Sequence, residues 1–281
     1  MTAALQIVRH ADADAFLEAA QRWLLEAEAE NNFLLGIALN VQLRPASEAR
    51  PYFASIHERN EIVGCACRTP PHRLVLSRLP TRAAGALADD AGSTYSHLNG
   101  VTGPAAEAES FAGAWTARQG GGWRTHIRMR LYELTHVVLP SHTVPGSLRK
   151  ATDADLALAR EWVDGYVRDT GIDGPAGDMA QRLIERGQLF FWIDGGNARS
   201  MVAATRETRS GCAINTVYTP PSHRRRGYAT AAVAALSENQ LRAGRRFCCL
   251  YTDAANPTSN SIYAQIGYRP IRDDVELSFE P

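Results

Sequence analysis

The stretch Ala213-Ile214-Asn215-Thr216-Val217-Tyr218-Thr219-Pro220-Pro221-Ser222-His223-Arg224-Arg225-Arg226-Gly227-Tyr228-Ala229-Thr230 decides the fold of its half of the chain. Its first seven residues read as a β run that meets Pro220-Pro221, and beyond the arginines Ala229, Ala232, Val233 and Leu236 form a helical stripe that Gly244 stops. A strand, a basic turn containing glycine and the start of a helix make a natural anion site, because successive backbone N–H groups and the positive helix end converge on one point. Three arginines add permanent charge there. Gly227 lets the backbone close on a phosphate, and small Ala229 lets the first helical turn approach as closely. A diphosphate is the ligand these features suit.

Immediately downstream, Phe247 to Thr252 reads as another strand, followed by Asn256-Pro257-Thr258-Ser259-Asn260-Ser261-Ile262-Tyr263-Ala264-Gln265-Ile266-Gly267-Tyr268. Asn256 is a sound N-cap, Pro257 suits the first helical position and Gly267 the C-terminal stop. This helix turns Ile262 and Ile266 inward, with Tyr263 beside them.

Working outward, Leu148-Arg149-Lys150-Ala151-Thr152-Asp153-Ala154-Asp155 echoes Val8-Arg9-His10-Ala11-Asp12-Ala13-Asp14 with one inserted residue. Each copy leads into an amphipathic helix, with Phe16, Ala20, Trp23, Leu24 and Ala27 on one face of the first and Leu156, Ala159, Val163, Tyr166 and Val167 on one face of the second. Thr152-x-x-Asp155 matches a capping box with Asp in place of Glu. Short β runs follow each helix, at 52–56, 62–67 and 74–76 in the first half and at 189–193, 201–205 and 212–218 in the second. Linker candidates are Leu79 to Gly92 and Pro140 to Gly146, the second giving domains at 1–145 and 146–281. The expected fold class is α/β, of the α+β mixed-sheet kind: two domains, each a mostly antiparallel mixed sheet flanked by helices.

Composition narrows the function. The 281 residues carry 30 basic and 30 acidic side chains, with 13 against 14 before residue 146 and 17 against 16 after it, so neither half has the positive balance of a nucleic-acid binder. No apolar run approaches the ~20 residues that span a bilayer, and charges occur by position 14, so a soluble, cytoplasmic protein without a membrane partner is expected. Cys65, Cys67, Cys212, Cys248 and Cys249 match neither a disulfide framework nor a zinc spacing, so buried thiols in a reducing compartment and no metal site are expected.

Arg224-x-x-Gly227-x-Ala229, with a strand upstream and a helix downstream, and the Asn256 to Tyr268 segment together resemble the GNAT superfamily of acetyltransferases. The resemblance implies an N-acetyltransferase that uses acetyl-coenzyme A as cosubstrate, with the amine attacking the thioester directly. It assigns Val217, Tyr218 and Thr219 to the pantetheine arm, and adds Arg225, Arg226, Gly227, Tyr228, Ala229 and Thr230 to Arg224 as the pyrophosphate cradle. Asn256 and Asn260 contact the cofactor near its bend, and Tyr263 protonates the departing thiolate. The acceptor is a small-molecule or peptide amine. Competing readings are a non-catalytic acyl-CoA sensor or scaffold and a transferase with a different acyl donor.

Within this picture no base stands out among Asn215, Thr216, Tyr218, Glu207, Asp253 and His223, and the loop Val167 to Gly177 is expected to form the acceptor pocket. The phosphate loop of the N-terminal half is expected at 99–106, where there is no Arg or Lys and Pro104 lacks an N–H, which predicts a degenerate copy. The helix carrying Phe111, Ala114 and Trp115 then matches 229–243. Asn31 to Gly36 is read as a buried loop capped by its amides.

Overall fold

The computed structural model describes residues 5–42, 51–138, 144–171 and 177–281. It divides into two compact units, and the chain does not pass from one to the other at a single point. The first unit runs to Leu131 and takes up Thr252–Asn256 and Pro270–Pro281, while the second comprises Tyr132–Tyr251 and Pro257–Arg269. Residues 145 and 146, where the sequence places its boundary, are both in the second unit.

In the first unit the strands are β1 (Leu5–His10), β2 (Tyr52–Glu58), β3 (Glu61–Arg68), β4 (Leu74–Leu76), β5 (Gly100–Pro104), β6 (Gly122–Leu134) and the last strand of the chain, β12 (Arg269–Glu280). Their order is β1-β2-β3-β4-β5-β12-β6. All pairs from β1 to β4 are antiparallel, β4 and β5 run parallel, and β5 pairs antiparallel with β12. Alternation along β2 sends Tyr52, Ala54 and Ile56 to one face and Phe53 to the other. The first face packs on α3 (Ala84–Gly92) and α4 (Ala105–Gln119) through Leu87, Phe111 and Trp115. The second packs on α1 (Ala13–Glu26) and α2 (Glu28–Gln42) through Phe16, Leu24 and Leu34. Each such fully buried apolar side chain contributes about 1.5–3 kcal/mol.

The second unit repeats this plan with β7 (Ser147–Lys150), β8 (Leu189–Asp194), β9 (Asn197–Thr205), β10 (Gly211–Tyr218) and β11 (Phe247–Asp253). Neighbours from β7 to β10 are antiparallel, and β10 and β11 are parallel. Along β9, Val202 and Ala204 face α7 (Tyr228–Arg242) and α8 (Pro257–Ile266), whereas Met201 and Ala203 face α5 (Leu156–Thr170) and α6 (Met179–Glu185). The mixed α/β class expected from the sequence is the class observed.

Three local expectations are corrected. Leu79 to Gly92 is no linker: alanines at 83, 84, 86 and 88 favour helix, and α3 occupies most of it with Leu87 and Ala88 buried. Asn31 to Gly36 is not a loop but part of α2, where Asn31 Nδ2 donates to Leu24 O at 3.0 Å. Residues 100–104 form β5 rather than a phosphate loop, and α4 follows it as α8 follows β11. By element order the counterpart of α7 is α3, and the counterpart of the arginine turn is therefore the segment 77–83.

Candidate functional site

The register of β10 with β11 covers Gly211↔Phe247, Cys212↔Cys248 and Ala213↔Cys249 and stops there, although β10 continues to Tyr218. Ile214 to Tyr218 therefore keep only β9 as a registered neighbour among the described residues. Register against β9 shifts between Asn215 and Tyr218, and at this bulge Thr216 is 1% exposed with φ +51°. A bulge of this kind re-aims backbone groups and is common beside active sites. A strand with one free edge can take an extended ligand as an added strand. Val217, Tyr218 and Thr219 lie on this edge, where the Tyr218 carbonyl and the Thr219 hydroxyl both bond Ser200 Oγ, at 3.1 and 2.9 Å.

At the end of β10 the Pro220-Pro221 turn leads through one short 3-10 turn to the arginines and α7. Arg225 and Gly227 both have positive φ, +60° and +80°, which curls the backbone toward the helix start. No side chain caps the first turn of α7, so its N–H groups are free for an anion. Arg224 is tied back, with Nε donating to Thr219 O at 2.8 Å and its guanidinium paired with Asp169. Arg225 and Arg226 are exposed and have no ion pair among the described residues. The hydroxyl of Tyr228 donates to Asp194 Oδ2 at 2.6 Å, and that bond raises its pKa, so this side chain anchors α7 to β8. Ala229 and Thr230 complete the first turn at intermediate exposure.

Tyr263 is buried on α8 between Tyr132 and Tyr268, with ring centroids 6.4 and 5.9 Å away. Burial pushes its phenol well above the ordinary value, and the neighbouring charge of Tyr166 adds to the shift. A phenol so raised stays protonated at neutral pH. Asn260 accepts from the Tyr132 hydroxyl at 2.8 Å. Asn256 immediately precedes α8, its N–H donating to Asp253 O at 3.1 Å, and it groups with the first unit.

The carboxylate and amide groups considered as bases are engaged elsewhere, while the Nδ1 of His223 is buried without a hydrogen-bond partner among the described residues. Asn215 Nδ2 donates to Thr205 Oγ1 at 2.5 Å and Asn215 Oδ1 accepts from Thr216 Oγ1, while Glu207 pairs with Arg245 and Asp253 Oδ1 accepts from the Ala255 N–H. His223 Nε2 stands 3.4 Å from Arg199 Nη1. Cys212 and Cys248 face each other at 3.9 Å, fully buried at the paired end of the two strands. The hydrogen bond it donates to Cys212, and burial, hold the Cys248 thiol far above its usual range. Among the described residues no cluster of His, Cys, Asp and Glu has the form of a metal site, and no helix is long and apolar enough to cross a membrane.

Tyr166 is the residue that sequence reasoning passed over. It was legible only as one more position on the inward face of its helix. Burial raises its phenol, and Arg206 first and then the backbone of Thr216 at the bulge offset part of that rise. Next to it, Gly165 leaves room for the Tyr218 ring, which a Cβ there would strike. Of the expected acceptor loop, Gly174 and Pro175 lie outside the described residues, and Gly171 ends α5 in the left-handed region at φ +64°.

Residues 194–277 match the family described as FR47-like protein. No curated protein matches the chain. Among solved structures it is similar to a GNAT-family acetyltransferase from Colwellia psychrerythraea at 13% identity and a TM-score of 0.59, covering 99% of this chain and 100% of that one. A GCN5-related N-acetyltransferase from Sphaerobacter thermophilus aligns at 14% identity and a TM-score of 0.62, with 97% and 95% covered. A tandem GNAT protein from the clavulanic acid biosynthesis pathway aligns at 13% identity and a TM-score of 0.56, with 99% of each chain covered.

Proposed function

We propose that the second unit belongs to the GNAT superfamily, binds acetyl-coenzyme A and transfers the acetyl group to a primary amine by direct attack on the thioester, a reading supported by its FR47-like segment and by the fold it shares with GNAT-family structures. The observation that carries this reading is the free edge of β10 running straight into the arginine turn. An extended pantetheine arm pairs along Val217, Tyr218 and Thr219, and the pyrophosphate sits on the N–H groups at Gly227 to Thr230 with Arg225 and Arg226 beside it. Coenzyme A leaves as a thiolate, and the protonated phenol of Tyr263 supplies the proton it needs. Cys212 and Cys248 are buried at the closed end of the strand pair, away from the free edge of β10, which favours direct attack over an acyl-enzyme.

The test is Tyr263→Phe assayed on a panel of primary amines with acetyl-coenzyme A binding measured in parallel. The expected result is a kcat about 100-fold or more lower with affinity for acetyl-coenzyme A unchanged. Undiminished turnover would remove Tyr263 from the mechanism. A protein that binds acetyl-coenzyme A and acetylates no amine would instead be a coenzyme-binding module.

A further inference from the structure

Of the three arginines in the turn, Arg224 is committed to other parts of the second unit. A guanidinium carries five N–H donors in a fixed fork. Arg224 sets Nε on the Thr219 carbonyl at 2.8 Å and Nη2 on the carboxylate of Asp169, the penultimate residue of α5. Its Cζ stands 5.8 Å from the centre of the Tyr218 ring. Asp169 thus neutralises the charge that Arg225 and Arg226 keep. The end of β10 meets α5 a second time further along the helix. Alternation sends Val217 to the α7 and α8 face of the sheet and Tyr218 to the α5 face. There the Tyr218 ring lies 6.1 Å from that of Trp162 and fills the space that Gly165 leaves open. Trp162 packs edge-on against Phe191 of β8 at 5.4 Å. α5 therefore crosses the end of β10 held by packing at Trp162 and Gly165 and by an ion pair at Asp169.

We infer that Arg224 is a positioning residue for the amine: it fixes the end of α5 against β10 and leaves the phosphates to Arg225, Arg226 and the N–H groups of α7. The inference rests on the transferase reading above. In that reading the acyl group lies along the free edge of β10. On the α8 side of the sheet Tyr263 stands with Tyr132 and Tyr268 around it, ring centroids 6.4 and 5.9 Å away. The opposite side is covered by α5, so the amine reaches the thioester past that helix and its fit depends on where the helix ends. The ion pair is well exposed, with Arg224 at 44% and Asp169 at 41%, and exposed pairs contribute little to stability. Breaking it therefore leaves the fold intact while it frees the end of α5 and removes the donor from the Thr219 carbonyl.

The experiment compares the unaltered protein with Arg224→Met, Arg224→Lys, Asp169→Asn and the double variant Arg224→Met/Asp169→Asn. The Arg225→Ala/Arg226→Ala protein is the reference for lost phosphate contacts. Acetyl-coenzyme A binding is measured by calorimetry, transfer to a panel of primary amines by steady-state kinetics, and stability by the thermal midpoint. Arg224→Met is expected to bind acetyl-coenzyme A within about twofold of the unaltered protein and to raise KM for the amine about three- to tenfold, with kcat within about twofold. Asp169→Asn is expected to move KM in the same direction by less, since an amide oxygen still accepts from the guanidinium. The double variant is expected to match Arg224→Met, because the two residues act through one contact. Arg224→Lys keeps the charge without the fork and is expected to fall between Arg224→Met and the unaltered protein. A loss of acetyl-coenzyme A affinity in Arg224→Met as large as that of the reference makes Arg224 a phosphate ligand and overturns the inference alone. So does an unchanged KM, whether or not the thermal midpoint falls, and so do multiplicative increases in the double variant. If the unaltered protein binds acetyl-coenzyme A and acetylates no amine, the transferase reading falls and the inference with it.

Discussion

The parallel pair β4–β5 of the first unit and the pair β10–β11 of the second arise from the same order of elements, strand, helix, strand, helix, and end differently. β4 has three residues, its register with β5 reaches Val75↔Thr102, and a Cβ on Gly103 would stand 2.9 Å from the Leu76 Cβ, so the strands stay together to the end of β4. The chain then folds back onto β3, with Ser77 N–H bonding Cys65 O and Cys65 N–H bonding Ser77 Oγ. β10 instead continues five residues past its last registered partner and bulges at Thr216. The turns differ in the same direction. Arg78 and Arg82 of the first unit pair with Glu30 and Glu58 at 2.7 and 2.5 Å, whereas Arg225 and Arg226 have no such partners among the described residues. A closed strand pair with neutralised arginines offers neither a free edge nor spare charge to a nucleotide. We therefore read the first unit as the copy that binds no cofactor, for reasons other than the sequence of residues 99–106.

The largest effect is expected where that comparison is broken on its charged side. On the proposed reading, replacing Arg225 and Arg226 together by Ala would remove two charge-assisted contacts to phosphate, each worth about 1.5–3 kcal/mol, and is expected to lower acetyl-coenzyme A affinity about 100-fold or more. The matched double variant Arg78→Ala/Arg82→Ala is expected to leave that affinity unchanged. Calorimetric titration of both variants decides the matter, and equal losses would mean that both turns serve the ligand.

The comparison also marks what the sequence could and could not disclose. Strand-turn-helix order around Gly227 and helix order around Pro257 were readable because proline, glycine and charge punctuate the chain locally. The capping box at Thr152 and Asp155 forms as its spacing predicts. In the first unit the matching turn, Ser77 to Ala83, has Pro80 and two arginines but no glycine, and the Gly100-Val101-Thr102-Gly103-Pro104 run offers glycines further on, so the sequence reading slid one strand and one helix along and mistook β5 for a loop. Nor does periodicity show that β12, last in sequence, lies beside β5, because pairing across so long a separation leaves no local pattern. Tyr166 was missed for a related reason. An inward tyrosine at helical spacing reads as core, and only the bulge at Thr216 gives its oxygen a partner.

A smaller effect sharpens the closed side of the comparison. In Gly103→Ala the new Cβ meets the Leu76 Cβ at 2.9 Å and its carbonyl oxygen at 3.0 Å, and neither atom is the flexible end of a side chain. Overpacking of this kind costs about 1–3 kcal/mol, to be read as a lower denaturation midpoint with acetyl-coenzyme A affinity retained by the second unit. An unchanged midpoint would show that β4 and β5 are less tightly joined than their register implies.

The smallest effect compares the two copies of the helix-start motif. In the second unit Arg149 donates to both carboxylate oxygens of Asp155 at 2.8 and 2.7 Å, and the Thr152 N–H adds a bond at 2.8 Å. In the first unit Asp12 caps α1 by accepting the Ala15 N–H at 2.9 Å, and the echoed arginine, Arg9, pairs with Asp90 instead. Arg149 first, and then the Thr152 bonds, hold the Asp155 carboxyl below its ordinary value despite burial. A folded-state pKa that is depressed stabilises the protein above the ordinary carboxylate range, and that contribution is lost as pH falls through the ordinary value toward the depressed one. Arg149 is 44% exposed, so solvent screening limits the pair, and Asp155→Asn is expected to cost about 1 kcal/mol near neutrality. The gap between variant and unaltered protein should then close in denaturation curves taken at progressively lower pH. Asp12→Asn, at a position where Asn caps as well as Asp, is expected to cost less at every pH. A gap for Asp155→Asn that persists into strong acid would place its origin in packing rather than in charge.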